Sequence, residues 1–594
     1  MRTLVLTGLL CAVACAQTQE WEEFMAKGSA LRRESKFVEA EQWYRRALAE
    51  GSDTPRALNS LGVLFYETGR YAEAIAFYDR ALEIWRSRLG EDHADLAATI
   101  NNLSTAFYAM GRHSEAEGLA RRALAIREKA YGPGDPQVAE TLDNLASYRA
   151  AQGALAEAEE IYRRVLAIRE KALGDGSPPV AATLNNLAVV LSQAGKYTES
   201  ERLQTRALLI WEKVLGPENP SVATSISNLA DIRIKLGLQE GVETLYLRAL
   251  SIRERAFGSE HPLVANTLNN LGSAYANQRR FAEAEPMYRR ALAIEEKSLG
   301  PSHPSTATVL NNLGDLRRLQ GRLPEAKELY LRTMRIWEKS LGPEHSNVGR
   351  LWNNLAAISR GEGNHEESVA HYGKAVAIFE KALGPDHPDT GMILTNLADL
   401  RFLQGRVEQA ETLSRRALGI AQKSFGENHA ATAEASGRLA TALVVLRRLT
   451  EAPRFYARAL AIREKLSGPA HSSLAPTLAA LGHTYQLDSR PAAAEPLYRR
   501  ALAIWETVPD NDIELQASTL NSLAMLCSEM GRFEEAEPLF RRAAGLTEKA
   551  LGPADRNLAV VLQNLAVAMR KNNRAGDAKK IESRAKSLLK DERD

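Results

Sequence analysis

The amino-acid sequence predicts an all-α fold, a right-handed αα-superhelix of about fourteen helix hairpins. Three observations lead to this prediction: a 42-residue period, glycines at a fixed point of each period, and a composition suited to helices packed through small residues. Hydrophobic residues make up 45% of the chain but aromatic residues only 6%, which disfavours both a β-rich fold and a disordered chain. Lys and Arg number 76 against 74 for Asp and Glu, so we expect no nucleic-acid partner.

The amino terminus predicts a signal peptide over residues 1–16. Arg2 precedes an apolar run over 4–13, and small residues at 14 and 16 fit cleavage before Gln17. The run is too short to span a bilayer, so we expect an exported chain, periplasmic or extracellular, with no integral membrane segment once mature. A lipidated Cys15 that tethers the chain to the envelope is the alternative, although the bulky aliphatic residue usual three positions upstream of such a cysteine is missing.

A leucine recurs every 42 residues without insertion or deletion, and we number it position 7 of each repeat. Position 8 is always small and position 27 nearly always so, which lets two helices approach closely. Position 24 is often Tyr, as at Tyr78 and Tyr330, and fills the space around the small residues. Each repeat is therefore expected to form one helix hairpin. The leucines are Leu61, Leu103, Leu145, Leu187, Leu229, Leu271, Leu313, Leu355, Leu397, Leu439, Leu481, Leu523 and Leu565.

The boundaries of the helices are also regular. Glycine at position 36, as at Gly90 and Gly342, predicts that each second helix ends in a left-handed cap. Position 39 is His, Asp, Ser or Asn and is often followed by Pro, which is typical of an N-cap. Packed helices lie about 8–10 Å apart, too far for successive histidines to share a zinc ion, so we interpret them as caps. They are His93, His261, His303, His345, His387, His429 and His471.

Three stretches resemble the tetratricopeptide repeat in its 42-residue form, found in kinesin light chains and in many bacterial proteins. They are Thr-Leu-Asn-Asn-Leu-Gly at 267–272, the segment 281–294, and Gly-Pro-Asp-His-Pro at 384–388. The resemblance implies a solenoid of such repeats that binds a protein or peptide partner. It divides the chain into the signal peptide 1–16, a first repeat of the 34-residue type at 17–54, twelve 42-residue repeats at 55–558, and a final repeat with a charged cap at 559–594. No other module accompanies them, so we expect a stand-alone array.

Catalytic and cofactor motifs are missing from the sequence. It has no Gly-x-Ser-x-Gly, no phosphate-binding loop and no Cys-x-x-Cys, and the six-residue spacing of His365 and His371 is wrong for a zinc-protease helix. Cys527 occupies position 11, where other repeats carry Phe65 or Tyr275, which favours a buried structural thiol. We therefore predict a non-enzymatic protein without a cofactor or a metal site.

Asparagine recurs at position 6 and often at position 5 of the first helix. The resemblance implies that these positions line or border the concave face, where amides hold the backbone of an extended peptide. A structural interpretation stays open, in which the asparagines join neighbouring repeats, and both can hold. The candidate groove residues are Asn186, Asn228, Asn269, Asn270, Asn311, Asn312, Asn353, Asn354 and Asn396.

Arg318, Arg350 and Arg360 add a locally basic stretch beside these asparagines and predict an acidic group in the ligand. Arg438 and Ala480 interrupt the asparagines, so the binding segment should end before them. We expect a protein-interaction scaffold that binds an extended, partly acidic peptide in a concave groove. The alternative is a membrane-tethered lipoprotein that serves assembly or secretion through its edge or convex surfaces.

Overall fold

Helices form nearly all of the chain that the structure describes, which comprises residues 20–50, 55–507 and 512–589. In this computed structural model those residues form 28 α-helices, one 3-10 helix over Ser472–Leu474, and no strand. The all-α prediction is confirmed. The predicted signal peptide and Cys15 lie outside the described residues.

The chain divides into two compact units, Met1–Ile393 and Leu394–Asp594. In the first unit the first helices of the hairpins are α1 (20–33), α3 (Pro55–Glu67), α5 (Ala94–Ala109), α7 (Pro136–Ala151), α9 (Pro178–Gln193), α11 (Pro220–Lys235), α13 (Pro262–Asn277), α15 (Pro304–Leu319) and α17 (Ser346–Gly361). The second helices are α2 (Phe37–Glu50), α4 (Tyr71–Leu89), α6 (His113–Tyr131), α8 (Leu155–Leu173), α10 (Tyr197–Leu215), α12 (Val242–Phe257), α14 (Phe281–Ser298), α16 (Leu323–Leu341) and α18 (His365–Ala382).

The unit boundary falls inside α19 (Pro388–Leu403). The second unit continues the alternation of first and second helices. It contains α20 (Val407–Phe425), α21 (Ala430–Val445), α22 (Ala452–Ser467), α23 (Ala475–Leu487), α24 (Pro491–Thr507), α25 (Ile513–Glu529), α26 (Phe533–Leu551), α27 (Arg556–Lys571) and α28 (Ala575–Leu588).

Close approach of the two helices of a hairpin depends on the small residue at position 8. A Cβ atom added to Gly314 would lie 2.7 Å from Cε1 of Tyr330, the position 24 residue of the same repeat. Tyr330 is fully buried, and the recurring leucine Leu313 is buried as well. Glycine is therefore required here because the tyrosine ring occupies the space of a side chain, and the predicted hairpin packing is confirmed.

The predicted N-caps are confirmed at Asp135, Asn219, Asp555 and the position 39 histidines from His261 onward, whereas the side chain of Ser177 makes no capping hydrogen bond. Nδ1 of His303 accepts a hydrogen bond from the backbone N–H of Ser305 at 3.1 Å, and Asp135 accepts from Gln137 at 2.8 Å. The cap at position 36 differs from the prediction. Gly90 has φ 83° but ψ 171°, an extended conformation with positive φ that is essentially restricted to glycine, rather than a left-handed helical one.

The first helices lie on the inner side of the curve in the first unit. Successive first helices contact one another, as α9 with α11 and α11 with α13, more closely than successive second helices do. Ion pairs join the second helices on the outer side, for example Arg164 with Glu128 at 2.7 Å. Among the described residues, no helix is long and apolar enough to cross a membrane.

Candidate functional site

The asparagines of positions 5 and 6 form a hydrogen-bonded ladder between successive repeats. Nδ2 of the position 6 residue donates to Oδ1 of the position 5 residue one repeat earlier, as Asn312 does to Asn269 at 2.9 Å. Each such bond joins two first helices, so the ladder stabilises the stacking of repeats. The other bonds run from Asn102 to Asn59 (3.0 Å), Asn186 to Asp143 (3.2 Å), Asn228 to Asn185 (2.8 Å), Asn354 to Asn311 (3.3 Å) and, in the second unit, Asn564 to Asn521 (3.3 Å).

In the repeat of Asn311 and Asn312, the position 5 amide makes more hydrogen bonds than the position 6 amide. Asn311 is 7% exposed; its Oδ1 accepts from Asn354, and its Nδ2 donates to Asn312 at 3.3 Å and to Asp315 at 3.2 Å. Asn312 is half-buried, and its amide makes one bond as donor and one as acceptor within the described chain. Because an amide has two N–H donors and can accept two bonds, Asn312 retains one of each for another partner.

Asn270 marks a gap in the ladder. The position 5 residue of the preceding repeat is Ser227, whose hydroxyl donates to the carbonyl oxygen of Ala223 at 2.9 Å. Within the described residues, the half-buried side chain of Asn270 has no hydrogen-bond partner. Asn270 therefore carries a complete unpaired amide in the middle of the ladder, and this gap could be seen in the sequence as the serine at position 227.

The basic stretch is less strongly basic than its arginines suggest. Nε of Arg318 lies 3.8 Å from Oδ1 of Asp315, which also accepts from the hydroxyl of Tyr330 at 2.6 Å. Arg350 lies 3.8 Å from Asp389, while Arg360 is exposed. Distances of 3.8 Å are ion pairs without a hydrogen bond, so Arg350 keeps its donors for a ligand, and Arg318 keeps those that its hydrogen bond with the Tyr330 hydroxyl does not use.

Asp315 is a further residue of this site, four residues after Asn311 on the same helix. Burial raises the pKa of its carboxyl group, and the charges of Arg318 and Arg350 both act on it in the opposite direction. The carboxylate thus connects two of the predicted arginines with Asn311 of the ladder. Arg360 is not among the charges that act on this carboxyl group, and Asn396 lies in the second unit.

An aromatic cluster lies near the start of the first unit. The rings of Tyr108 and Tyr148 stack with centroids 4.7 Å apart, and the Tyr148 hydroxyl forms a 2.8 Å hydrogen bond with Ser104. Burial raises the pKa of Tyr108 to about 12. Tyr148 could not be recognised from the repeat pattern, because position 10 is otherwise small or aliphatic in neighbouring repeats.

The remaining predictions concern single groups. Cys527 is fully buried, as predicted, and burial raises the pKa of its thiol. In the part of the chain that the structure describes, no group of three or more His, Cys, Asp or Glu side chains is arranged to hold a metal ion.

Comparison with known proteins gave a family and several solved structures. The family model described as tetratricopeptide repeat matches residues 53–129, 117–171, 179–255, 243–297, 263–339, 305–360, 347–423, 390–444, 432–507 and 515–591. No curated protein matches the chain.

Among solved structures, the chain is similar to the nearly identical TPR-like repeats of a Podosopora anserina chain named for kinesin light chain. Their identity is 25%, over 35% of this chain and 99% of that one, with a TM-score of 0.30. It is also similar to BtubC (BKLC) from P. vanneervenii, with 27% identity over 40% of this chain and 92% of that one, and a TM-score of 0.31.

Proposed function

The chain belongs to the tetratricopeptide repeat family, whose repeats indicate a non-catalytic protein–protein interaction scaffold, and we propose that its inner face binds an extended, partly acidic peptide. The observation that carries this proposal is the hydrogen-bonding capacity left on the position 6 asparagines, complete at Asn270 and partial at Asn312. An extended peptide presents N–H and C=O groups at regular intervals, and an amide can pair with both whatever the peptide's side chains are.

The acidic character of the ligand rests on the arginines beside the ladder. Arg318 and Arg350 are each only 3.8 Å from one carboxylate and are 36% and 52% exposed, while Arg360 is exposed. A ligand carboxylate can form hydrogen bonds with these guanidinium groups that their present partners do not form. The same stretch would repel a basic peptide, so charge should decide which peptides bind.

Fluorescent peptides of equal length but acidic, neutral or basic charge test the proposal by anisotropy against the full chain. We expect the acidic peptide to bind most tightly, and the double variant Arg318→Gln/Arg360→Gln to weaken it about tenfold or more, since a charge-assisted hydrogen bond contributes about 1.5–3 kcal/mol. The matched control is Arg202→Gln/Arg335→Gln, which removes two exposed charges from second helices. Equal binding of all three peptides, or equal loss in the control, would overturn the proposal.

A second candidate function uses the outer edge, and a row of exposed apolar residues favours it. These residues close the second helices of five consecutive repeats of the first unit, where they are 37–45% exposed: Leu89, Tyr131, Leu173, Leu215 and Phe257. Such a row suits a chain that is exported and tethered through Cys15 while it assembles other proteins along its edge. The intact mass of the mature protein distinguishes the two candidates, because it gives either Gln17 or a lipidated Cys15 as the first residue.

A further inference from the structure

Four N-cap histidines of the first unit also contact the hairpin turn of a much earlier repeat. Nε2 of His261 lies 3.0 Å from Oγ of Ser35, and Nε2 of His387 lies 3.0 Å from the carbonyl oxygen of Ala151. The other two contacts are equivalent: a Cβ atom added to Gly69 would lie 3.0 Å from Cδ2 of His303, and one added to Gly111 would lie 2.9 Å from Cδ2 of His345. We call these four contacts the histidine seam.

The seam joins successive turns of the superhelix. The pairs 69–303, 111–345 and 153–387 each span 234 residues, so one turn of the first unit takes about 5.6 repeats of 42 residues. An apolar contact follows the same register: Tyr71, two residues after Gly69, packs against the buried cluster that contains Leu310. The first unit is therefore held both by neighbouring repeats and by contacts between its turns.

Two seam histidines, His261 and His387, form hydrogen bonds through both ring nitrogens, and His303 and His345 form the same cap bond through Nδ1. Nδ1 of His387 accepts the backbone N–H of Asp389 at 3.1 Å, which requires that Nδ1 carries no proton, so the proton is on Nε2 and is donated to Ala151. Nδ1 of His261 accepts from Leu263 at 3.1 Å in the same way. An imidazolium ring has protons on both nitrogens and cannot accept the cap hydrogen bond, so protonation is incompatible with this arrangement.

The sequence places histidine where the cap has to reach a second element. The residues at the cap position before the first seam contact, Asp135, Ser177 and Asn219, have no earlier turn to reach, whereas all four seam caps are histidine. The side chains of Asp135 and Asn219 cap their helices as well as histidine does, at 2.8 and 2.9 Å. Capping alone therefore does not explain why the seam positions are histidine. The histidine side chain is longer and reaches the earlier turn while it caps its own helix. His93 is the exception among the earlier caps.

We propose that the histidine seam holds the first unit at one curvature at neutral pH and opens in acid, and that opening weakens peptide binding by changing the spacing of the inner-face asparagines. The second part rests on the function proposed above. The opening of the seam in acid concerns the first unit alone and can be tested without a ligand.

The surroundings of two seam histidines favour the neutral ring. Burial lowers the pKa of both His303 and His345 to about 4. The charges of His113 and Arg350 lower the pKa of His345 further, whereas the backbone of Ala109 acts to raise it. Glu67, whose carboxylate pairs with Arg32 at 3.1 Å, acts through its backbone to raise the pKa of His303, but the effect of burial is larger.

The other two seam histidines follow the same rule. Burial lowers the pKa of His387, while Asp389 and the hydrogen bond to Ala151 act in the opposite direction and the charge of Arg350 acts in the same one. Burial and the charge of Arg253 lower the pKa of His261, which also stacks on Phe257. Because all four rings have a lower pKa when the seam is closed, the closed form loses stability as the pH falls below about 6.5.

The size of the pH effect on opening follows from the two largest pKa shifts, those of His303 and His345. If the rings of His303 and His345 return to a pKa of about 6.5 when the seam opens, a change from about pH 7 to about pH 5 favours the open form about 20-fold for each ring. Contacts such as that of Tyr71 oppose opening at neutral pH.

Small-angle scattering of the full chain tests the opening. We expect the radius of gyration to rise between about pH 7 and about pH 5 while circular dichroism shows unchanged helix content. The double variant His345→Asn/His387→Asn keeps a capping side chain, as Asn219 does, but is too short to reach the earlier turn. It should be expanded already at neutral pH. His471→Asn is the control, because His471 is exposed and caps Ser473 in the second unit.

A glycine pair gives an independent test without changing any histidine. Gly153 and Gly237 have the same φ of 77°, but a Cβ atom at Gly153 would lie 2.6 Å from Cδ of Pro388, whereas one at Gly237 would meet nothing within 4 Å. Gly153→Ala should therefore expand the coil at neutral pH and Gly237→Ala should not. An unchanged radius in acid, or seam variants that scatter like the wild type, would overturn the seam.

The two proposals fail in different ways. The acidic peptide is titrated at neutral pH against the wild type and against His345→Asn/His387→Asn, so that its own carboxylates stay ionised. Weaker binding to the expanded variant supports the regulation, and equal binding overturns it. If scattering shows opening but no acidic peptide binds the wild type, the seam stands and the proposed function fails.

Discussion

Replacing Asn311 with alanine should separate the structural part of the ladder from its binding part. The buried side chain makes three hydrogen bonds, to Asn354, Asn312 and Asp315, at 3.2–3.3 Å. A typical intramolecular hydrogen bond contributes about 0.5–1.5 kcal/mol, and lengths above 3 Å place these at the lower end. We therefore expect Asn311→Ala to lower the free energy of unfolding by about 2 kcal/mol.

Asn270→Ala is the matched control for this change. It removes the same amide from the same face and the preceding repeat, but Asn270 has no hydrogen-bond partner within the described chain. Its effect on stability should stay within about 0.5 kcal/mol, as for a surface substitution, while its effect on the binding of an acidic peptide should be the larger of the two.

Guanidinium unfolding followed by circular dichroism at neutral pH measures both variants. The midpoint of Asn311→Ala should fall without a change in the dependence on denaturant, since the surface exposed on unfolding is the same. Equal destabilisation by the two substitutions would refute the assignment of positions 5 and 6 to different roles. No destabilisation by Asn311→Ala would refute the ladder as a stabilising element.

Three further predictions concern stability, each measured by the same unfolding experiment. Arg279 has a φ of 58° at the hairpin-turn position where most repeats have glycine, so Arg279→Gly should stabilise the fold by about 1 kcal/mol. Gly321 occupies the same turn position with a φ of 75° and no atom near an added Cβ, so Gly321→Ala should destabilise the fold by about 1 kcal/mol through the backbone alone. Gly314→Ala should cost about 2 kcal/mol or more because its Cβ would lie 2.7 Å from Tyr330. Burial raises the pKa of Glu295 to about 7, so the folded state favours the protonated carboxyl group. The free energy of unfolding therefore falls as the pH rises from about 4.5 to about 7, where the unfolded chain is ionised and the folded one is not. Glu295→Gln should stabilise the protein by up to about 3 kcal/mol at pH 8 but little at pH 4.

Local features of the fold could be predicted from the sequence because they repeat at short range. The hairpin packing of Gly314 on Tyr330 and the cap of His303 on Ser305 involve residues within one repeat, and their residue types recur at fixed positions. The prediction for Gly90 was right in the sign of φ and wrong in ψ, because glycine permits both conformations and the sequence does not distinguish them.

The histidine seam could not be predicted from the sequence. Contact between His387 and Ala151 depends on how many repeats complete one turn, which is the sum of small rotations at each repeat interface. No single interface reveals that sum. The run of histidines from His261 onward is a signal of the seam, but it has this meaning only once the number of repeats per turn is known.

The candidate site is an intermediate case, and the two interpretations of the asparagines apply to different positions. Asn311 at position 5 is buried and its amide is hydrogen-bonded through both its oxygen and its nitrogen, so it joins repeats and has little left for a ligand. Position 6 residues also join repeats, but Asn312 keeps one donor and one acceptor, and Asn270 keeps its whole amide. A peptide that pairs with position 6 therefore competes with no bond of the ladder at Asn270 or Asn312. Binding there should leave the stacking of the repeats intact, whereas a ligand that required the position 5 amides would have to break it.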